Sequence, residues 1–181
     1  AAHGVKAHGV SADLSSAQGC EAALAAVRGF FSDGLDILVS NAGTGTNETI
    51  MEAPDEKWQH FWELHVMAAV RMSRGVVPLM QKRGGGVILT TASICATQPL
   101  GYEPIYNTTK AALVMFTKCL ANELVPMNIR VNVVNPGLIL TPDWRKTAGQ
   151  LTAGTTTTVD QYLDGIAKAN APIGRFATAA R

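Results

Sequence analysis

Three short apolar runs limit what this chain can fold into. They are Asp36-Ile-Leu-Val39, Val87-Ile-Leu-Thr-Thr91 and Ile129-Arg-Val-Asn-Val-Val134. Each has the length and β-branched content of a strand buried in a sheet. Long stretches of helical period separate them. Ser15 to Phe31 reads as a helix capped by Ser15 or Ser16, with Cys20, Ala23, Leu24, Val27 and Phe31 at helical spacing. A second helix starts after Pro54 and runs to about Arg83, on a stripe of Trp58, Phe61, Trp62, Ala69, Met72, Val76 and Met80. Gly84-Gly-Gly86 stops it. A third runs from Ile105 to Leu124, with Pro104 at its first position and Glu103 before it at the positive helix end. Ala7 to Leu14 reads as a further short strand ending at Asp13. Strand and helix in alternation call for a parallel sheet covered on both faces.

With 181 residues and 47% hydrophobic content, the chain can bury one well-packed core. The net charge of +1 and the absence of like-charge runs argue against nucleic acid or a membrane surface as partner. No apolar run reaches the roughly 18 residues of a membrane span. The three cysteines, Cys20, Cys95 and Cys119, are odd in number and scattered, which points to a reducing, cytoplasmic setting. None of His3, His8, His60 and His65 has zinc-site spacing, so no metal is expected.

The chemistry concentrates between Ser93 and Lys110. Ser93 follows a strand end, where open α/β sheets place their ligands. Tyr106 and Lys110 are four apart and share one face of a helix. Ser93, Tyr106-Asn-Thr-Thr-Lys110, Asp13-Leu14, Asn41-Ala42-Gly43 and Asn135-Pro136-Gly137-Leu-Ile139-Leu-Thr141 occur in this chain in the order and spacing of one known family. On these five pieces the chain resembles the short-chain dehydrogenase/reductase family over nearly its whole length.

That resemblance implies a Rossmann-type, doubly wound parallel sheet, incomplete as it stands. Residues 1–181 would form a single partial domain without the family's first two strands, its glycine-rich turn and its C-terminal strand and helix. The implied activity is hydride transfer between NAD or NADP and a carbonyl or secondary alcohol, as in a ketone reductase. Tyr106 would give or take the proton. A free tyrosine titrates near about 10, and a neighbouring ammonium favours the phenolate. Lys110 would lower the phenol's pKa and bind the nicotinamide ribose. Ser93 would donate to the substrate oxygen. Asn41, Ala42 and Gly43 would lie along the adenosine side, and Asp13 with Leu14 at the adenine. Pro136, Gly137, Ile139 and Thr141 would reach the nicotinamide carboxamide or phosphate. Asp13 reads equally as a neighbour of a helix cap, and Thr141 as the cap of a plain turn.

At His65 the family usually has asparagine, whose backbone carbonyl holds a water that relays protons to the lysine. Two readings stay open: a packed core histidine, or a changed proton relay. The backbone carbonyl survives either way, so His65→Asn is expected to keep measurable turnover. Ile94 to Glu103 and Leu138 to Ala171 would wall the substrate, with Leu100, Tyr102, Trp144, Leu151 and Tyr162 making a moderately apolar pocket under a movable flap. Thr155 to Thr158 reads as a mobile part of that flap. Arg145 and Lys146 read as solvated. The expected partner is a small carbonyl or alcohol, and the expected assembly a homodimer or homotetramer. Two other classes remain: a nucleotide-binding relative with weak catalysis, and a serine hydrolase using Ser93 and His65. Against the latter, Thr91-Ala-Ser93-Ile-Cys95 lacks the G-x-S-x-G elbow.

Overall fold

A computed structural model describes residues 4–99 and 103–178. They fall into two compact units, one up to Asn135 and one from Pro136 onward.

The first unit is built on a parallel sheet of β1 (Ile37–Ser40), β2 (Gly86–Thr91) and β3 (Ile129–Val134), in the order β1-β2-β3. The connection from β1 to β2 is one long helical passage: α2 (Asp55–Trp62), a π-helical turn (Glu63–Met67) and α3 (Ala68–Lys82). The β2–β3 connection carries α4 (Pro104–Leu124). Parallel neighbours need such crossovers, and their right-handedness is nearly invariant. Two right-handed crossovers stepping the same way put their helices on the same face.

That face carries the core. Leu24 of α1 (Ala17–Phe30) packs with Val76 and Met80 of α3, Ile88 of β2, Leu124 of α4, and Ile129 and Val131 of β3. The opposite face shows Ile37, Val39, Arg130, Asn132 and Val134 to solvent among the described residues. Both crossovers among β1 to β3 step the same way, so among the described residues the helices lie on the core face, one half of a doubly wound sheet. On the helical stripe, Trp62 is corrected: it is 40% exposed, whereas Phe61, Ala69, Val76 and Met80 are buried.

Local signals formed their elements closely. Ser16 caps α1, its Oγ accepting from the Gly19 amide. Pro104 opens α4. Gly84 and Gly85 leave α3 with φ of 79° and 145°, a region that favours glycine. The segment Ala7 to Leu14, in contrast, is not a strand. An extended segment needs a hydrogen-bonding neighbour, and no described strand lies beside it.

The second unit pairs β4 (Ile139–Leu140) with β5 (Ala177–Thr178) in parallel and packs α5 (Pro142–Thr152) against α6 (Val159–Asn170). Ala148, Leu163 and Ala167 are buried there, and Trp144 meets Phe176 edge-on at 5.2 Å. Arg145 pairs with Asp160 at 3.3 Å. The stretch Thr155 to Thr158 is a loop that ends in a helix start at Thr158. Thr158 Oγ1 accepts from the Gln161 amide, and Gln161 Oε1 accepts from the Thr158 amide, a complete capping box.

Candidate active site

The three strands point their carboxyl ends the same way, and the candidate residues gather there. Ser93 lies just past β2 and caps a 3-10 turn (Ile94–Ala96), its Oγ accepting from the Cys95 amide at 3.2 Å. Tyr106 and Lys110 sit one turn apart on α4. The Lys110 ammonium lies over the Tyr106 ring, 5.4 Å from its centre, and donates to the Thr91 carbonyl at 2.9 Å. The Ser93 hydroxyl is near enough to the Tyr106 phenol to favour its ionised form. Serine, phenol and ammonium therefore converge.

The electrostatics are those of a dry site. Burial pulls Lys110 down to about 8. Burial also raises the Tyr106 phenol above its usual value, with the Ser93 hydroxyl working against it. The expectation that Lys110 lowers the phenol's pKa is corrected on this point. Desolvation of the phenolate outweighs the Ser93 contact that favours it. Cys95 is buried and its thiol is also raised by burial, which leaves it a poor nucleophile.

His65 belongs to this cluster and is 2% exposed. It sits in the π-helical turn, an insertion that swings its ring out of α-helical register. The Thr44 amide donates to Nε2 at 3.3 Å, so Nε2 is the acceptor. Nδ1 then carries the proton and donates to Thr109 Oγ1 at 2.8 Å. Thr109 passes its own proton to the Ile105 carbonyl at 2.9 Å. The ring meets Tyr106 edge-on at 5.6 Å. Burial first, then the Lys110 charge, depresses His65 to about 4. The packed reading of His65 is what the geometry matches: the ring is buried, hydrogen-bonded through both nitrogens and edge-on to the tyrosine. It is no base for Ser93, because both ring nitrogens are committed elsewhere, which removes the hydrolase arrangement.

Gly43 closes the cluster. A Cβ there would stand 3.1 Å from His65 and 3.4 Å from Lys110 Nζ, so the bare backbone lets the loop after β1 approach both. Asn41 and Ala42 line a cavity of about 170 Å³ at the end of β1, with Leu14, Leu38, His65 and Leu113. Asp13 is engaged locally: its Oδ1 accepts from the Ser15 amide at 3.0 Å and hydroxyl at 2.7 Å, which hold the carboxyl below its usual range. Pro136, Gly137, Ile139 and Thr141 lie in the second unit, where Ile139 pairs with Ala177 and Thr141 precedes α5 without a side-chain cap bond. Of the proposed pocket wall, Leu100 and Tyr102 lie outside the described residues.

Sequence reasoning missed Thr44, Thr91 and Thr109. Thr109 stands four residues after Ile105, the spacing for a hydroxyl bond back to a helix carbonyl. Its partnership with a residue 44 positions away has no local signature.

A family model described as short chain dehydrogenase matches residues 1–151. Human dehydrogenase/reductase SDR family member 4 is 47% identical over 110 residues, which is 60% of this chain and 39% of that protein. The 3-oxoacyl-(acyl-carrier-protein) reductase of Escherichia coli is 33% identical over 151 residues, covering 83% of this chain and 62% of that one. The crystal structure of L-sorbose reductase from Gluconobacter frateurii, complexed with NADPH and L-sorbose, superposes with a TM-score of 0.90 at 61% identity. It covers 93% of this chain and 64% of that one. The chain thus spans less than two thirds of each of these relatives. With a parallel α/β sheet of Rossmann type and a family match across most of its length, the chain belongs to the short-chain dehydrogenase family.

Proposed function

We propose that this chain is the body of an NAD- or NADP-dependent oxidoreductase that interconverts a ketone and a secondary alcohol. The observation that carries the reading is the meeting of Ser93, Tyr106 and Lys110 at the strand ends. The nearby groups fit a nicotinamide dinucleotide. The Lys110 ammonium is buried with one described hydrogen bond, to Thr91, and the bare Gly43 backbone lies close beside it. Asn41, Ala42 and Leu14 line a cavity at the end of β1.

When bound, the nicotinamide supplies or accepts the hydride. The residues supply the rest. The raised phenol of Tyr106 stays protonated at neutral pH, the form that donates a proton to a carbonyl oxygen during reduction. Ser93 donates to the same oxygen and steadies its developing charge. Lys110 holds the ribose hydroxyls and carries positive charge near the phenol as the proton leaves. His65 is a positioning residue, tying the loop after β1 to the helix that bears the tyrosine.

The likeness to L-sorbose reductase makes NADPH and ketoses the first pair to assay, with simple ketones beside them. Loss of NADPH absorbance on adding a ketone to the full-length protein, abolished in Tyr106→Phe, is expected. Tight nucleotide binding without turnover on any ketone would instead favour a cofactor-binding relative.

A further inference from the structure

Thr109 stands three residues after Tyr106 and directly before Lys110, and it is wholly buried. Threonines inside helices commonly bond back to the carbonyl four residues earlier. Thr117 and Thr152 do so, to Leu113 and Ala148, and their hydroxyls have no second described partner. Thr109 differs. Its Oγ1 reaches two carbonyls, Ile105 at 2.9 Å and Tyr106 at 3.1 Å, and meets His65 Nδ1 at 2.8 Å. A hydroxyl has one proton and two lone pairs. With the proton of the imidazole on Nδ1, the oxygen accepts from the ring and directs its own proton to the carbonyls. A helical threonine has two rotamers open to it because of such back-bonds. The added bond to His65 selects between them.

The other side of the same ring is held as well. Nε2 accepts from the Thr44 amide at 3.3 Å, and a Cβ on Gly43 would stand 3.1 Å from the imidazole. The ring meets Tyr106 edge-on at 5.6 Å. It thus has the loop after β1 on one side and the turn bearing the phenol on the other. Among the described hydrogen bonds, the Thr109 hydroxyl alone ties it to that turn. Groups that support a reacting side chain act by locking its position, and a lock of this kind needs both ends fixed.

We propose that Thr109 is a positioning residue for the Tyr106 phenol: its hydroxyl joins the His65 ring to the carbonyls of Ile105 and Tyr106 and so fixes the helical turn that carries the phenol beside Ser93. The effect on turnover rests on the role proposed for Tyr106. The hydrogen bonds do not. The oxygen carries this role, and not the bulk of the side chain. Valine keeps the shape and loses donor and acceptor together, whereas serine keeps the oxygen.

Both variants are made in the full-length protein and assayed with NADPH and a reducible ketone. Thr109→Val should lower kcat about tenfold, the worth of one such bond. Its NADPH dissociation constant should stay within about twofold, because Thr44 still holds the loop after β1. Thr109→Ser should bring kcat back to within about threefold of the unmodified enzyme. Nitrogen-edited NMR reads the bridge without turnover, so its failure is separable from failure of the enzymatic reading. The His65 Nδ1 proton should exchange slowly with water and show a through-space contact to the Thr109 side chain in the unmodified protein. Thr109→Ser should keep the slow exchange, and Thr109→Val should lose it. Should Thr109→Val fail to fold, the resonance of the unmodified protein and the turnover of Thr109→Ser still decide. Full kcat in Thr109→Val, equal losses in the two variants, or a freely exchanging Nδ1 proton in the unmodified protein would overturn the proposal.

Discussion

His65 shows how burial can turn a titrating residue into a fixed one. Its folded value of about 4 lies below the ordinary 6.5, so the folded state binds fewer protons than the unfolded chain between those values. The stability it contributes is complete above pH 6.5 and is lost as pH falls toward 4. Urea denaturation should therefore show an acid-sensitive drop in that window that His65→Asn reduces. At pH 7 the same substitution should cost about 1–2 kcal/mol, because asparagine cannot span from the Thr44 amide to the Thr109 hydroxyl and leaves one of them unpaired. Turnover should fall roughly tenfold without vanishing, the worth of one such bond at the reacting centre. Nitrogen NMR should find the proton on Nδ1 across the neutral range. A ring that exchanges between tautomers would contradict the bridging geometry.

At the scale of elements, the turns and caps carry the testable energies. Gly85→Ala puts a Cβ 2.3 Å from the Asn128 carbonyl oxygen at a φ of 145°, and neither backbone can give way. A loss of roughly 2–3 kcal/mol is expected by denaturant titration. Thr158→Ala removes half of the capping box of α6 and should cost about 1 kcal/mol in the second unit, seen as lost helicity on heating. These elements also mark how far the sequence can be read. The strand at Ile129–Val134 and the helix at Pro104–Leu124 were legible because their signals are local: a β-branched run for the one and a proline at the first turn for the other. The cap at Thr158 was not legible because four repeated threonines hide the one that caps, and Gln161 was not weighed with it. The segment around Asp13 was misread because a strand is a statement about two segments, and only one was in view. For the site, Ser93, Tyr106 and Lys110 were legible as a pattern. The threonines that hold Lys110 and His65 were not, since those partnerships are made by tertiary packing and not by spacing.

For the whole molecule, the acids and bases at the strand ends set the response to pH. Glu103 titrates higher folded, at about 7, than the 4.5 of a free glutamate. The folded state then binds more protons in that interval, and stability falls as pH rises from 4.5 toward 7. Glu103→Gln should gain stability relative to the unmodified protein above pH 7 and match it near pH 4, by denaturation at both ends. The same scale gives the open side of the sheet its meaning. Among the described residues β1 pairs with β2 alone, and Ile37 and Val39 stand more than half exposed beside that free edge. An edge of this kind, with unmatched amides and carbonyls beside apolar side chains, is where a further strand of a longer chain would pair.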